Sequence, residues 1–253
     1  MTVALRLTGV AKSFDQLSII AGIDLAIPAG ERHALIGPNG AGKSTLFNLI
    51  SGRLPVSAGV VELFGIEIQN RAPHRVARLG LSRSFQITNL FARLTVLETL
   101  EAALLWPAGI RYSLFRRMNG ISSVRDRARQ LADELGLASV LHVASAELAY
   151  ADQRALEIGV AAAGDAKVVL LDEPTAGMSR SETQRTVALI RRITEGRTLV
   201  MVEHDMGVVF DLADRISVLA RGRILISAAP DVVRADPAVR EAYLGAIEET
   251  ARC

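Results

Sequence analysis

Short runs of alternating apolar and polar residues occupy the first third of the chain. They read VALRLTGV, IDLAIPAG and RHALIG, and such alternation predicts strands with one buried face, punctuated here by Gly30 and Gly37. After Gly42 the spacing becomes that of a helix over KSTLFNLISG, for which Gly52 is a suitable C-terminal stop. The pattern therefore predicts a β-rich beginning that passes into a helix near residue 43.

Helical spacing dominates the middle of the chain, from about Leu94 to Gly164. A loop-like stretch, Gly109–Ser123, interrupts it, and Val124–Leu137 then places apolar residues at helical spacing beside charged ones. We expect this part to form a helical subdomain, residues 88–163, inserted into a single domain that spans residues 1–253.

Strands and helices alternate in the last third. The run KVVLLDEP predicts a buried strand, SETQRTVALIRRITEG an amphipathic helix that ends at Gly196, and RTLVMVEHD a second buried strand. The sequence DRISVLARGRILISA then predicts a hairpin that turns at Arg221-Gly222. Such alternation indicates a mostly parallel sheet with helices on both faces.

Composition adds limits to this α/β prediction. Of the 253 residues, 50% are hydrophobic and only 4% are aromatic, which suits a core of Ala, Leu, Val and Ile better than a β-sandwich. The one cysteine, Cys253, allows no disulfide within the chain and fits a reducing cytosol. The net charge of +2 indicates ordinary solubility rather than nucleic-acid binding.

Two segments bear on the relation to membranes. The beginning, MTVALRLTGVAK, lacks the apolar core of a signal peptide, and the run Leu100–Ile110 is too short and too interrupted to span a bilayer. If the protein works at a membrane, we therefore expect it to do so as a peripheral subunit.

One motif points directly to chemistry. GPNGAGKST follows a predicted strand, begins a predicted helix and matches G-x-x-x-x-G-K-[ST], whose glycines let backbone N–H groups surround a phosphate at the positive end of a helix. Its lysine is expected to contact the β- and γ-phosphates, and its serine to bind Mg²⁺. The alternative, a glycine-rich turn without function, is disfavoured by the complete spacing. The candidate nucleotide-binding residues are Gly37, Asn39, Gly40, Ala41, Gly42, Lys43, Ser44 and Thr45.

Charged residues end both buried strands of the last third. Asp172 and Glu173 follow VVLL, and His204 follows VMVE. Because ligands of open α/β sheets gather at the carboxyl ends of strands, Asp172 is a candidate for the Mg²⁺ shell and Glu173 for the general base that orients the attacking water. His204 would hydrogen-bond the γ-phosphate or that water. Taken alone, the acid pair is better explained as a solvated strand end and the histidine as a structural residue. The phosphate loop upstream and the position at the sheet edge favour function.

Together these motifs resemble, in type and order, the ATPase subunit of an ABC transporter. The resemblance implies an α/β P-loop NTPase fold: a mixed sheet core with an N-terminal antiparallel β-region and an inserted helical subdomain. SRSFQ resembles the strand that ends in the Q-loop, so Gln86 would touch Mg²⁺ or the attacking water. TAGMS, Thr175–Ser179, resembles the D-loop that crosses to a partner subunit. Phe14 matches the aromatic residue that stacks on adenine, with an ordinary core position as an equal alternative.

Three further segments are similar to the branched-chain amino acid uptake branch of that family: Ser84–Leu104, Leu148–Ile158 and Arg240–Gly245. The extra residues around Leu104–Gly120 resemble the longer of its two paralogous ATPases. The resemblance implies import of a small solute, most simply a branched-chain or other hydrophobic amino acid. Two ATPases on the inner face of the cytoplasmic membrane would drive two transmembrane permease subunits, which receive the solute from an extracytoplasmic binding protein. The implied cofactors are ATP and Mg²⁺, and nucleic acid is not an expected partner.

The segment LAYADQ departs from the family's signature turn, which reads LSYGQ in this branch. In the family, that turn contacts the γ-phosphate of the nucleotide bound by the partner subunit. Here Ala149 lacks the serine hydroxyl, Ala151 adds a Cβ where close approach is needed, and Asp152 brings a negative charge towards the phosphate. We therefore expect one weakened half-site, and a heterodimer with a paralogous ATPase rather than a homodimer.

The stretch between Gln86 and about Gly120 is the expected contact with the membrane subunits, because it combines aromatic and arginine residues of the kind that anchor interfaces. A mixed surface loop is the alternative. The candidate anchors are Phe91, Trp106, Arg111, Tyr112, Phe115, Arg116 and Arg117.

Two other functions compete with transport. The first is a soluble ABC-type ATPase that acts on nucleic acid or ribosomes, but such proteins usually show tandem ATPase domains, long coiled coils or zinc motifs, and the sequence has none of these. The second is a nucleotide-dependent regulator that hydrolyses little ATP. The altered turn favours it, whereas Glu173 and His204 oppose it.

Overall fold

The computed structural model describes residues 2–84, 90–105, 107–109, 119–239 and 241. It divides the chain into two compact units. Unit 1 consists of residues 1–81 with 196–253, and unit 2 consists of residues 82–195.

Strands and helices alternate along most of the described chain. The strands are β1 (Val3–Phe14), β2 (Leu17–Pro28), β3 (Arg32–Ile36), β4 (Ala58–Leu63), β5 (Ile66–Glu67), β6 (Leu81–Arg83), β7 (Val168–Asp172), β8 (Thr198–Val202), β9 (Arg215–Ala220) and β10 (Arg223–Ala228). The helices are α1 (Lys43–Ile50), α2 (Pro73–Arg78), α3 (Val96–Leu105), α4 (Asn119–Leu135), α5 (Tyr150–Ala162), α6 (Arg180–Ile193), α7 (Met206–Leu212) and α8 (Pro230–Ala235).

An antiparallel sheet in unit 1 contains β2, β1, β4 and β5 in that order. Alternation places Leu5 and Leu7 of β1 in the core, and a register shift after Leu7 places Val10 there too, each at most 2% exposed. Full burial of such an aliphatic side chain contributes about 1.5–3 kcal/mol relative to exposure, so the register of β1 is fixed by its apolar face. The N-terminal β-region predicted from alternation is therefore confirmed.

A second sheet in unit 1 contains β10, β9, β3 and β8 in that order. Strand β3 runs parallel to β8 and to β9, and β9 is antiparallel to β10, so this sheet is mixed. All five residues of β8 are buried, as a continuous apolar run predicts. The hairpin turns at Arg221 and Gly222, whose φ values of 47° and 73° fit a type I′ turn, and this confirms the predicted turn position.

Helices make up most of unit 2. Helices α3, α4 and α5 contact one another, and α6 contacts α5. The approach of α4 to α5 is close, because a Cβ on Gly159 would lie 2.3 Å from a methyl group of Leu135. Strands β6 and β7 are neighbours, and the Ser84 N–H donates to the Leu170 carbonyl over 2.9 Å. Within the described ranges, no helix is both long and apolar enough to cross a bilayer.

One boundary differs from the sequence prediction. Helix α4 begins at Asn119, so residues 119–123 of the predicted loop are helical. The apolar spacing Ile121, Val124, Ala128 continues the pattern of the helix, whereas Gly120 and the adjacent serines obscure it. Helices α2, α7 and α8 were not predicted, because runs of six or seven residues carry too little periodicity.

Candidate functional site

The predicted phosphate loop lies between β3 and α1 in unit 1. Gly37 has φ 154°, and a Cβ there would lie 2.0 Å from the Leu219 carbonyl oxygen of β9, so only glycine fits this close approach. Gly42 has φ 104°, and a Cβ there would lie 2.7 Å from the terminal methyl group of Ile20 and 3.2 Å from the Ile19 carbonyl oxygen, so its backbone conformation is the main restriction. Gly40, at φ 76°, has open space around it, so its backbone conformation alone favours glycine.

Lys43 is the first residue of α1 and is 7% exposed. Its ammonium group donates to the Gly37 carbonyl over 2.6 Å and to the Pro38 carbonyl over 3.0 Å. The first turn of α1 contains no acidic residue, so the positive end of the helix dipole is not opposed locally. This lysine and the helix end place positive charge at the loop, which fits a polyphosphate.

The remaining residues of the loop differ in their exposure. Asn39, Gly40 and Ser44 are exposed, Thr45 is half-buried, and Ala41 is buried. The loop is braced from the hairpin, since the Gly222 N–H donates to the Ala41 carbonyl over 3.2 Å. The exposed side of the loop is thus available to a ligand, while its inner side is held by β9 and β10.

His204 lies beside this loop at the same edge of the sheet. Leu35 of β3 pairs with Val202 of β8 in parallel register, so Gly37 and His204 each lie two residues beyond a paired position. His204 is exposed, and its backbone N–H donates to the Glu203 carboxylate over 2.9 Å. Asp205 then caps α7 by accepting from the Gly207 N–H over 2.7 Å. The register thus brings this predicted site residue to the phosphate loop.

Asp172 and Glu173 lie at the end of β7 in unit 2. Asp172 is 1% exposed, and one of its carboxylate oxygens, Oδ2, accepts from Arg83 over 3.0 Å. The other, Oδ1, is buried and has no hydrogen-bond partner among the described residues. A buried carboxylate oxygen without a donor fits a cation ligand, so this atom suits the predicted Mg²⁺ shell.

Glu173 has an unusual backbone for a residue with a side chain. Its φ of 47° lies in the left-handed region, which costs roughly 1–2 kcal/mol for a non-glycine residue. The Ala176 N–H donates to its carbonyl over 3.2 Å, so the following turn closes back onto it. Strain of this kind persists where surrounding contacts impose it, and it is frequent at functional sites.

Phe14 and Phe91 lie on the surface, and several other predicted site and interface residues lie outside the described part of the chain. Phe14 ends β1, is 43% exposed, and has the Lys12 ammonium 4.9 Å from its ring centroid, so it is a surface aromatic residue rather than a core one. Gln86 lies outside the described residues, as do Trp106 and the other predicted anchors between residues 110 and 118. Phe91 is described and is 70% exposed.

The altered signature turn forms the beginning of α5. Ala149 is the residue before the first helical turn and makes no side-chain cap, as expected without a hydroxyl group. Asp152 lies in that first turn. Ala149 is exposed, and Ala151 and Asp152 are half-buried. The carboxylate is therefore at the helix end that would face a phosphate.

Sequence reasoning missed several polar residues of unit 2. Arg83 and Ser84 both hydrogen-bond Asp172, the latter by accepting from its N–H over 3.3 Å. Tyr150, Arg154 and Glu157 form a bonded series on α5. The spacing i, i+4, i+7 of these three polar side chains on a largely buried helix is the signal that could have revealed them.

Two family descriptions match the chain. That of the ABC transporter covers residues 20–176, and that of the branched-chain amino acid ATP-binding cassette transporter covers residues 227–249.

Curated relatives match over nearly their full length. The chain is 33% identical over 250 residues to the high-affinity branched-chain amino acid transport ATP-binding protein BraF of Pseudomonas aeruginosa, covering 95% of this chain and 97% of that protein. The same values hold for LivG of Escherichia coli. A probable branched-chain amino acid transport ATP-binding protein LivG of Archaeoglobus fulgidus is 31% identical over 258 residues, covering 98% of each.

Solved structures agree with these matches. The crystal structure of an ATP-binding cassette of an ABC transporter in its ADP conformation gives a TM-score of 0.82 at 26% identity, covering 97% of this chain and 100% of that one. A nucleotide-free ATP-binding cassette gives 0.81 at 25% identity, covering 95% and 98%.

Proposed function

The chain belongs to the ABC transporter ATP-binding proteins, in their branched-chain amino acid branch, and we propose that it hydrolyses ATP at a dimer interface to energise uptake of branched-chain or other hydrophobic amino acids. Membership of this family and the cassette fold confirm the resemblance that the motifs indicated. The phosphate loop carries the proposal, because Gly37 is sterically required, Gly42 has a positive φ that favours glycine, and Lys43 lies at the end of the helix that follows.

In this proposal the loop residues from Gly37 to Thr45 bind the triphosphate of ATP through backbone N–H groups, Lys43 and the end of α1. Phe14 stacks on the adenine. Ser44, Gln86 and Asp172 would hold Mg²⁺, which when bound supplies positive charge to the phosphate oxygens. Support comes from the exposed Ser44 and from the buried Oδ1 of Asp172, which lacks a partner among the described residues.

Hydrolysis is assigned to Glu173 and His204. Glu173 orients the attacking water and accepts its proton as the water oxygen bonds to the γ-phosphorus. The bond from the γ-phosphorus to the β,γ-bridging oxygen breaks, and ADP leaves. His204 hydrogen-bonds the γ-phosphate, and Gln86 contacts the water or the metal. Exposure of His204 at the edge that carries the phosphate loop supports this role.

The two composite sites of the dimer are proposed to be unequal. This chain would supply Ala149, Ala151 and Asp152 to the nucleotide held by its partner, without a hydroxyl donor and with an added negative charge. Two like charges about 6 Å apart repel by roughly 2–3 kcal/mol at an effective dielectric constant of 20. A paralogous ATPase with an intact signature turn would complete one of the two sites. In that site, the phosphate loop, Glu173 and His204 of this chain would hydrolyse ATP.

The proposed assembly is peripheral, on the inner face of the cytoplasmic membrane. The helical subdomain, residues 88–163, would contact two transmembrane permease subunits, which receive solute from an extracytoplasmic binding protein. The exposed aromatic ring of Phe91 supports this surface, since aromatic residues are enriched at the buried centres of interfaces.

The test is a pair of substitutions in the reconstituted transporter. Glu173→Gln in this chain should lower turnover by roughly 10²–10⁴-fold, because it removes a general base while keeping the shape of the side chain. The matching change in the paralogue should have a much smaller effect. Turnover that survives Glu173→Gln but is abolished by the paralogue's change would reverse the assignment of the good site.

A further inference from the structure

The turn Thr175–Ser179 is tied to α5 of the same subunit. The Tyr150 hydroxyl donates to the Ala176 carbonyl over 2.8 Å. The Tyr150 ring also lies against Gly177, where a Cβ would be 3.7 Å from ring atoms. Tyr150 thus contacts the turn through both its ring and its hydroxyl.

The direction of these hydrogen bonds is fixed by chemistry. The Arg154 Nε–H donates to the Tyr150 hydroxyl over 3.2 Å, and a guanidinium group can only donate. The single proton of the hydroxyl is then directed to the Ala176 carbonyl, which can only accept. Arg154 therefore sets the orientation in which Tyr150 bonds the turn.

Arg154 is itself held in place inside the protein. It is 6% exposed, and its Nη1 donates to the carboxylate of Glu157, which is 7% exposed, over 2.9 Å. Burial opposes the charge on Arg154, but hydrogen bonds to Tyr150 and Glu157 raise its pKa above the ordinary arginine value. A buried charge pair is weak evidence for stability, and fixing one geometry is among its attested uses.

The other end of this series reaches the proposed base. The Ala176 carbonyl accepts from Tyr150, while the Ala176 N–H donates to the carbonyl of Glu173. Glu173 holds a left-handed backbone conformation, which persists only where its surroundings impose it. A fixed Ala176 supplies such a restraint, because its carbonyl bonds Tyr150 and its N–H bonds Glu173.

We propose that Tyr150 is a positioning residue that holds Ala176, and through it the backbone of Glu173, with its hydroxyl oriented by the buried Arg154–Glu157 pair. The signature helix thereby serves the catalytic residue of its own subunit, in addition to facing the partner's nucleotide. This inference rests on the proposed function, in which Glu173 is the base.

The experiment uses the reconstituted transporter with Tyr150→Phe, which keeps the ring and removes the hydroxyl, and Arg154→Lys, which keeps the charge but loses the planar fork. Loss of one hydrogen bond should lower kcat by about threefold to tenfold, with the KM for ATP within about twofold. Amide hydrogen exchange in residues 174–179 should accelerate by a similar factor, about threefold to tenfold, while α6 is unchanged. Ser181→Ala is the matched control, because it removes a neighbouring hydroxyl that contacts Ser179.

A second measurement separates positioning from a general loss of structure. In single-turnover phosphate release, Tyr150→Phe should have little further effect when Glu173→Gln is already present, because both act on the same step. Equal loss in both backgrounds, or unchanged exchange in residues 174–179, would overturn the proposal. If Glu173→Gln itself leaves turnover intact, the assignment of the base fails instead, and the exchange result still reports on Tyr150.

Discussion

Helices α1 and α5 are the two whose N-terminal ends are proposed to face phosphate, and their first turns differ in charge. Helix α1 is preceded by Gly42 in a left-handed conformation, starts with Lys43, and has no acid in its first turn. Helix α5 is preceded by Ala149 without a side-chain cap and has Asp152 in its first turn. An acid at that position stabilises the helix by about 0.3–1 kcal/mol but repels an anion.

The N-terminal end of a helix can bind an anion or can be stabilised by an acidic side chain of the same helix. The charge in the first turn, Lys43 in α1 and Asp152 in α5, favours one or the other. At the start of α1, the backbone of β9 lies so close to Gly37 that a Cβ would not fit there. At α5 the surviving polar residues, Tyr150 and Arg154, bond within their own subunit. The N-terminal end of α1 therefore fits the proposed phosphate site, whereas the polar side chains of α5 bond mainly within its own subunit.

Among changes to these two helix ends, the largest effect on ATP hydrolysis is expected from Lys43→Ala. The Gly37 and Pro38 carbonyls hold its ammonium group at the loop that is proposed to bind ATP. A hydrogen bond from a charged group contributes about 1.5–3 kcal/mol, so loss of the bond to phosphate should lower kcat/KM for ATP by roughly 10- to 150-fold. Steady-state hydrolysis by the reconstituted transporter measures this. Lys167→Ala, at an exposed lysine before β7, is the control and should retain activity. Equal losses in both variants would mean that α1 is not the working helix end.

Adding a methyl group to the loop glycines should act on the free energy of unfolding, by an amount that differs between positions. Gly37→Ala should destabilise folding by about 2–5 kcal/mol, combining a left-handed backbone with a collision against the Leu219 carbonyl. Gly40→Ala should cost only about 1–2 kcal/mol, because its surroundings are open. Urea unfolding of the full chain measures both values. Similar costs at the two positions would contradict the claim that β9 shapes the loop.

Asp152→Asn is expected to have the smallest effect. It should lower stability but strengthen ATP-dependent association. Removing the charge should lower the free energy of unfolding by about 0.3–1 kcal/mol, because the helix dipole loses its counter-charge. It should also strengthen ATP-dependent pairing with the paralogous subunit, by up to about tenfold, because it removes a repulsion of the phosphate that solvent and salt reduce at this half-buried position. Thermal unfolding and ATP-driven association measure the two effects. Asp165→Asn, beyond the end of α5, should leave association unchanged. Weaker association in Asp152→Asn would show that α5 does not face a nucleotide.

Much of the fold and part of the site could be predicted from sequence. Strands β7 and β8 follow from continuous apolar runs, β3 follows from alternation, and the hairpin turn follows from Arg221-Gly222. Residues 119–123 were misassigned because Gly120 and the serines weaken a helical pattern that neighbouring helices complete. The sequence also could not rank Phe14 between core and surface, and its 43% exposure favours the surface.

The sequence by itself determined the local requirements: glycines where the backbone needs positive φ, a lysine at a helix start, and acids after a buried strand. These are readable because backbone sterics and strand burial act over a few residues. Only the tertiary structure decided that Arg83 binds one oxygen of Asp172 and leaves the other without a partner among the described residues. It alone joined Tyr150 to Ala176, because contacts between residues distant in sequence depend on how helices and strands pack.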